Sequence, residues 1–192
     1  MTPQEEVRTL DRPRLTLRAE GHDRDPLEYS PPMEPVRVRQ ATPGDADQLR
    51  TFRCASGPWY EAEVETFVQG VLADHVAQGF GALVIEDAGE VVALLAVIPQ
   101  PFPGGGEGTV IELAAGAVRI DRQGTGAHGS SLSGSLVSAA VDEARASGHV
   151  GCYAKVALEN VRVRRVLERA GFRAGPVVSD PRYAFYTLNL RA

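Results

Sequence analysis

Residues 118–129 read VRIDRQGTGAHG, and this glycine-rich stretch lies between a predicted strand and a predicted helix. The apolar run Thr109–Val118 precedes it, and apolar residues at helical spacing follow it from Leu132 to Ala144. At the start of a helix, unpaired backbone N–H groups and the helix dipole attract an anion, and glycine lets the anion come close to the backbone. The stretch therefore indicates a phosphate-binding loop, although the same residues also suit a tight turn. It matches neither of two common nucleotide loops, because no Gly-Lys-Ser/Thr follows and no GxGxxG opens an early βαβ unit.

The segments on both sides of this loop predict a mixed α/β chain. Asp87-Ala88-Gly89 suits a tight hairpin turn, and strands interleaved with helices favour a mixed sheet over a purely parallel one. The predicted helices cover residues 43–54, 64–76, 132–144 and 160–170. The predicted strands cover residues 36–40, 82–85, 91–98, 109–118, 150–158 and 183–190, with a further short strand near Val177.

The composition is that of one globular domain with an extension. The chain has 192 residues, of which 43% are apolar and 23% charged, so it can bury a sizeable core. Residues 1–35 carry prolines among charged side chains and few apolar ones, which predicts a flexible N-terminal extension. Residues 36–192 form the predicted folded domain.

Charge and hydropathy exclude several classes of protein. The net charge of −5 argues against general nucleic-acid binding, which needs clustered Lys and Arg. Because Met1–Leu10 lacks a signal peptide's apolar run and no stretch suits a spanning helix, we expect a cytoplasmic protein without membrane binding. Cys54 and Cys152 lack paired-ligand spacing, so neither a disulfide framework nor a zinc site is expected. The chain is rich in arginine, with Lys155 as its only lysine, and this bias carries no functional weight by itself.

Three features of residues 36–190 resemble the GNAT superfamily of acyl-CoA-dependent N-acetyltransferases. Residues 118–127 resemble the family's pyrophosphate loop, with Gln123 in the leading position. Asn160 opens a predicted helix that ends in Gly171-Phe172, which is similar to the family's downstream signature. The order of the elements, with a hairpin before a long fourth strand, is similar too. The resemblance implies a GNAT-like fold, in which a mixed sheet splays between its fourth and fifth strands and about four helices flank it.

The resemblance also implies acetyl-CoA as the acyl donor, without a metal. The glycine loop would hold the pyrophosphate, and backbone groups of the fourth strand would bond the pantetheine arm beside a bulge. Small side chains at 114–116 permit such a bulge, and Gly116 is its expected pivot. The residues expected to bind the coenzyme are Gly116, Ala117, Val118, Gln123, Gly124, Thr125, Gly126, Ala127, His128 and Asn160.

Acyl transfer to an amine needs a base, and the resemblance places Glu112 in that role. Glu112 lies on the fourth strand, eleven residues before Gln123; the other interpretation is that it points to solvent. Many family members carry, seven residues after the asparagine, a tyrosine that protonates the coenzyme A sulfur, and this chain has Leu167 there. The proton for the sulfur would then come from water or from one of the tyrosines Tyr153, Tyr183 and Tyr186.

A second departure from the family is an enlarged glycine loop, with about five extra residues between His128 and Leu132. The extra residues either add serine donors around the phosphate or block the cleft. His128 itself is either a base or a surface residue.

Trp59 and Tyr60 fall between the first two predicted helices, a region that walls the acceptor site in GNAT folds. They either bind the acceptor or anchor the loop. The expected function is direct transfer of an acetyl group from acetyl-CoA to a primary amine of a small molecule or peptide. One alternative is a GNAT-fold protein that binds acyl-CoA without turnover, as a sensor or interaction module, and another is a structural scaffold that binds no coenzyme. The sequence leaves the acceptor open, and the final strand Tyr183–Leu190 would be free to pair as an exposed edge in a homodimer.

Overall fold

The computed structural model describes residues 37–102, 107–123, 132–177 and 180–191. The predicted extension over 1–35 lies outside these residues, and so do Gly124, Thr125, Gly126, Ala127 and His128 of the glycine loop. The expectations that concern them stay predictions.

The described residues form a seven-stranded mixed sheet with the strand order β1-β2-β3-β4-β5-β7-β6. Strands β4 and β5 pair in parallel, and all other neighbours pair antiparallel. The predicted mixed sheet is therefore confirmed, and the short strand expected near Val177 is β6. The strands are β1 (Val38–Gln40), β2 (Ala82–Asp87), β3 (Glu90–Pro101), β4 (Thr109–Val118), β5 (Gly151–Ala157), β6 (Arg173–Val177) and β7 (Tyr183–Asn189).

Four helical units of the described residues flank the sheet. The first is a 3-10 turn (Pro43–Asp45) that continues into α1 (Ala46–Arg50). The second runs without a break through α2 (Trp59–Phe67), a π-helical turn (Val68–Leu72) and α3 (Ala73–Ala77). The others are α4 (Leu132–Ala146) and α5 (Val161–Arg169). None of the helices in these residues is both long and apolar enough to cross a membrane.

The first helix is shorter than the sequence predicts, since it ends at Arg50 and not at Cys54. The carboxylate of Glu65 on α2 accepts the backbone N–H groups of Cys54 and Ala55 at 2.8 and 2.9 Å. These two N–H groups bond to the next helix, so the chain leaves the helical path. This contact joins residues distant in sequence, and local spacing gives no sign of it.

The expectation that the last strand is a free edge is wrong. β7 pairs with β5 on one side and with β6 on the other, so β6 occupies that edge of the sheet. A homodimer would therefore need another surface. Homodimerisation itself stays a prediction.

Two apolar cores lie on opposite faces of the sheet. On one face, α4 and α5 pack against the strands through residues such as Leu136, Val137 and Leu167. On the other face, α1, the π-helical turn and α3 contribute Leu49, Val68 and Val76. Burying both faces explains the nearly continuous apolar run of β3.

Strand β4 changes faces at a β-bulge. Along β3 and β4, Val97 pairs with Leu113 and its neighbour Ala96 pairs with Ala115, so Ala114 is the extra residue. Before the bulge, Leu113 packs into the core beside α4 and α5; after it, Ala115 packs into the opposite core. The expected bulge is present, but its pivot is Ala114, whereas Gly116 pairs regularly with Leu95.

The predicted splay between β4 and β5 is confirmed. The two strands pair only from Val110 to Glu112 on β4 and from Gly151 to Tyr153 on β5. Both strands continue beyond these residues, to Val118 and Ala157. A gap therefore opens in the middle of the sheet, next to the bulge.

Candidate functional site

A cavity of about 320 Å³ fills the gap between β4 and β5. Its walls come from both faces of the sheet. On one face they include Ser133 and Val137 of α4 and Val163 of α5. On the other they include Tyr60, Glu63 and Phe67 of α2. The cavity therefore extends to both faces of the sheet.

Glu112 lies at the last residue of β4 that pairs with β5, and its side chain lines the cavity. Its Oε2 accepts a hydrogen bond from the Tyr153 hydroxyl at 2.9 Å and another from the Gln100 amide at 3.2 Å. No other group of the described residues donates to this carboxylate, so Oε1 is available to a ligand. Burial, followed by the bond to Glu112, raises the pKa of Tyr153 to about 12, so this phenol stays a donor.

The inner edge of β4 is exposed to the cavity after Glu112. The cavity wall includes Ala114, Gly116 and Ala117, and β5 pairs with none of these residues. Backbone polar groups on this edge therefore need another partner. At Gly116, an added Cβ would meet only Leu95 Cδ1, at 3.5 Å, so the protein itself does not require glycine there.

Two residues of the expected coenzyme site serve the protein's own structure. The Gln123 amide donates to the carbonyls of Cys54 at 2.6 Å and Val118 at 3.1 Å. Val118 is buried and pairs with Ala93. Neither Gln123 nor Val118 lines the cavity, and Gln123 instead ties the start of the glycine loop to the segment before α2.

Asn160 lies at the cavity and begins α5. Its Oδ1 accepts the backbone N–H of Val163 at 3.1 Å, which is a helix N-cap. Seven residues on, Leu167 is buried and also lines the cavity, so the position of the family's tyrosine offers no hydroxyl here.

The three candidate tyrosines occupy different places. Tyr153 bonds to Glu112, and Tyr183 lines the cavity. Tyr186 is fully buried, where its hydroxyl accepts from Arg164 at 2.8 Å and donates to Glu168 at 3.3 Å. Tyr186 is therefore away from the cavity, which leaves the other two.

An aromatic cluster borders the cavity on the α2 side. The Trp59 ring makes edge contacts with the rings of Tyr60 and Tyr183, each with centroids 5.7 Å apart. Its indole N–H donates to Glu159 at 3.1 Å. Tyr60 and Tyr183 line the cavity, whereas Trp59 supports them from behind. The two residues therefore differ in position: Trp59 packs behind the cavity wall, as an anchoring residue would, whereas Tyr60 lines the cavity.

Charged side chains surround this cluster. The Tyr183 hydroxyl donates to Glu63 at 3.0 Å, and burial and this bond raise the pKa of Tyr183. The Lys155 ammonium lies 4.1 Å from the Tyr183 ring centroid, and the Arg182 guanidinium lies 5.0 Å from that of Trp59. Sequence reasoning missed Glu63 and Lys155 as cavity residues. The one sequence feature that distinguishes Lys155 is that it is the only lysine of the chain. No sequence feature distinguishes Glu63 from the other acidic residues.

Several solved structures of acetyltransferases are similar to this chain. A structure from Desulfovibrio desulfuricans, described as an acetyltransferase of the GNAT family, aligns with 24% identity, a TM-score of 0.62 and coverage of 82% of this chain and 100% of that one. The PaiA N-acetyltransferase of Thermoplasma acidophilum, solved in complex with coenzyme A, aligns with 12% identity, a TM-score of 0.61 and coverage of 81% and 99%. An N-acetyltransferase from Staphylococcus aureus Mu50 aligns with 16% identity, a TM-score of 0.59 and coverage of 82% and 100%.

No known family profile matches the sequence, and no curated protein matches it. The similarity therefore lies in the fold, at low identity. The chain has the fold of the GNAT N-acetyltransferases, with the sheet split between β4 and β5.

Proposed function

We propose that this protein is an N-acetyltransferase that transfers an acetyl group from acetyl-CoA directly to a primary amine. One observation carries the proposal: the Glu112 carboxylate faces a cavity at the point where β4 and β5 separate. The PaiA structure, which shares the fold, holds coenzyme A. Here the residues fit such a donor, because the β4 edge offers backbone groups and Ala114 and Gly116 leave space beside them.

Glu112 acts as the base in this proposal. An amine enters from the α2 side as an ammonium, and Oε1 of Glu112 takes its proton. Tyr153 and Gln100 hold Oε2, which fixes the direction in which Oε1 points. The neutral nitrogen then attacks the thioester carbonyl carbon, the C–S bond breaks, and the nitrogen loses its second proton to water as the amide forms.

The leaving thiolate must receive a proton. Leu167 offers none, so the donor is water or the hydroxyl of Tyr183, which lines the same cavity. The apolar side chains Val163, Val166 and Leu167 line the α5 side and limit access of bulk water to the thioester.

The first test is a calorimetric titration with acetyl-CoA, with coenzyme A and dephospho-coenzyme A as controls. We expect micromolar binding that weakens without the 3′-phosphate. An absence of binding at millimolar coenzyme would remove the proposal and leave only the fold.

The second test is the Glu112→Gln variant, assayed by thiol release with a panel of amines. We expect kcat to fall about 100-fold, since a general base contributes this much, while coenzyme affinity changes by no more than a few-fold. Glu107→Gln is the matched control, because Glu107 is exposed and does not line the cavity. Equal turnover in the two variants would exclude Glu112 as the base.

A second candidate function is a protein that binds acyl-CoA without turnover. Leu167 favours it, because the residue that protonates the thiolate in many GNAT enzymes is replaced by an apolar one. Tight coenzyme binding with no thiol release for any amine in the panel would support this candidate.

A further inference from the structure

Lys155 is the only lysine of the chain, and it lies in the wall of the cavity. It belongs to β5, whose alternate residues Cys152, Ala154 and Val156 pack into the core beside α4 and α5. Since side chains alternate along a strand, Tyr153 and Lys155 lie on the opposite face. This is the face on which Tyr153 reaches Glu112.

Lys155 is held only weakly. Its ammonium lies over the Tyr183 ring, 4.1 Å from the centroid, a contact that contributes about 0.5–1 kcal/mol at an exposed site. Among the described residues, no carboxylate forms an ion pair with it, whereas Arg182 beside it is paired with Asp180 at 2.8 Å. The charge of Lys155 contributes to lowering the pKa of Asp180, but no ion-pair contact with the described residues fixes the ammonium, so the flexible four-carbon stem can turn from the aromatic ring towards the gap.

We infer that Lys155 is an acetylation site, which the protein modifies in its own cavity with the acyl donor proposed above. The inference rests on the proposed function and extends it to an acceptor within the chain. Glu112 removes a proton from the ammonium, and the Lys155 nitrogen attacks the thioester carbonyl carbon. An N–C bond forms and the C–S bond breaks; the nitrogen loses its second proton to water, and the sulfur takes a proton from water, so coenzyme A leaves as the thiol.

Acetylation would change the charge of the acceptor side. A neutral amide makes no cation–π contact with Tyr183, and the cavity wall that also includes Glu63 and Glu112 loses a positive charge. The cavity becomes more negative by one charge, which favours cationic acceptors. The modified and unmodified protein should therefore differ in KM for a given amine.

The test is to incubate the purified full chain with acetyl-CoA alone and to follow acetylation by intact mass and peptide mass spectrometry. We expect one acetyl group on Lys155, added at least about tenfold faster than to the urea-unfolded chain, because the cavity positions the amine and the thioester. The rate constant should not change over a twentyfold range of protein concentration, since the reaction occurs within one molecule.

Two variants make the test specific. Lys155→Arg keeps the positive charge and removes the acylable amine, so the added mass should disappear while coenzyme binding persists. Glu112→Gln should slow the acetylation of Lys155 about 100-fold, whereas Glu107→Gln should not.

The outcomes separate this inference from the proposed function. If the protein binds acetyl-CoA and acetylates an added amine but leaves Lys155 unmodified, the inference is wrong and the proposed function stands. If the native and unfolded chains react at the same rate, Lys155 is acetylated by simple chemistry and the inference is also wrong. If no coenzyme binds, both are overturned.

Discussion

Replacing Tyr153 with Phe removes one hydroxyl, and that hydroxyl is one of the two donors that hold Oε2 of Glu112. A hydrogen bond to a charged group contributes about 1.5–3 kcal/mol, and the bond here is 2.9 Å long. Gln100 still holds the same oxygen at 3.2 Å, so part of the orientation survives. We therefore expect the lower end of this range to appear in catalysis, which corresponds to a fall in kcat of about tenfold.

The assay is steady-state thiol release with an amine that the wild-type protein accepts, together with calorimetry of coenzyme binding. Coenzyme affinity should stay within a few-fold, because the hydroxyl faces Glu112. Tyr186→Phe is the matched control: it removes a hydroxyl bonded to Arg164 and Glu168 in the core, away from the cavity. The control should lower thermal stability and leave kcat unchanged.

A double-mutant cycle with Glu112→Gln tests whether Tyr153 acts through Glu112. If Tyr153 acts through Glu112, Tyr153→Phe costs little further activity once the carboxylate is gone. An equal tenfold fall in both backgrounds would refute this account, since Tyr153 would then act independently, for example as the proton donor to the thiolate. An unchanged kcat in the single variant would refute it as well.

Two further predictions concern the backbone edge and the fold. Gly116→Ala should leave the unfolding temperature within a few degrees, because the added Cβ meets only Leu95 at 3.5 Å. The same Cβ occupies space beside the β4 edge, so coenzyme binding should weaken at least about tenfold. Unchanged affinity would mean that the acyl donor binds elsewhere. Asp45 is buried and accepts bonds from Arg39 and Thr42, and chiefly the Arg39 bonds lower its pKa to about 2. A lowered carboxyl pKa stabilises the fold above the unfolded value near 3.8, so this stabilisation should disappear as the pH falls from about 4 through 2. Asp45→Asn should cost about 2 kcal/mol at neutral pH, since Arg39 keeps its ion pair with Glu86, and should flatten that part of the stability profile in acid-unfolding measurements.

The sequence predicts the order of the elements well, because that order depends on local periodicity. Alternation and helical spacing find each main strand and helix, although the second helix begins at Trp59 and not at Val64, so Trp59 and Tyr60 lie within it and not before it. The asparagine at 160 is the N-cap that its position suggests. The short β6 is also anticipated, although its pairing is not. Its partner is β7, and this pairing is what removes β7 from the edge.

The features that the sequence leaves undetermined depend on contacts between distant residues. Glu112 alternates with buried neighbours, so the sequence shows that it lies on the opposite face of the strand from them. Whether that face borders the cavity depends on the bulge at Ala114. Three alanines and a glycine at 114–117 contain no pattern that marks the bulged one. Likewise, the early end of α1 depends on Glu65, and the role of Gln123 depends on the Cys54 carbonyl.

The bulge at Ala114 makes the length of β4 more important than its composition. The two residues that flank Ala114, Leu113 and Ala115, face opposite cores, and the register with β3 shifts between them. Exchanging one small residue for another in this stretch leaves that arrangement in place. Deleting a single residue would reverse the facing of one half of the strand, turning either Glu112 or the alanines after it to the wrong side. In a library of β4 variants, active members should therefore tolerate exchanges among small residues at 114, 115 and 117 and no insertion or deletion.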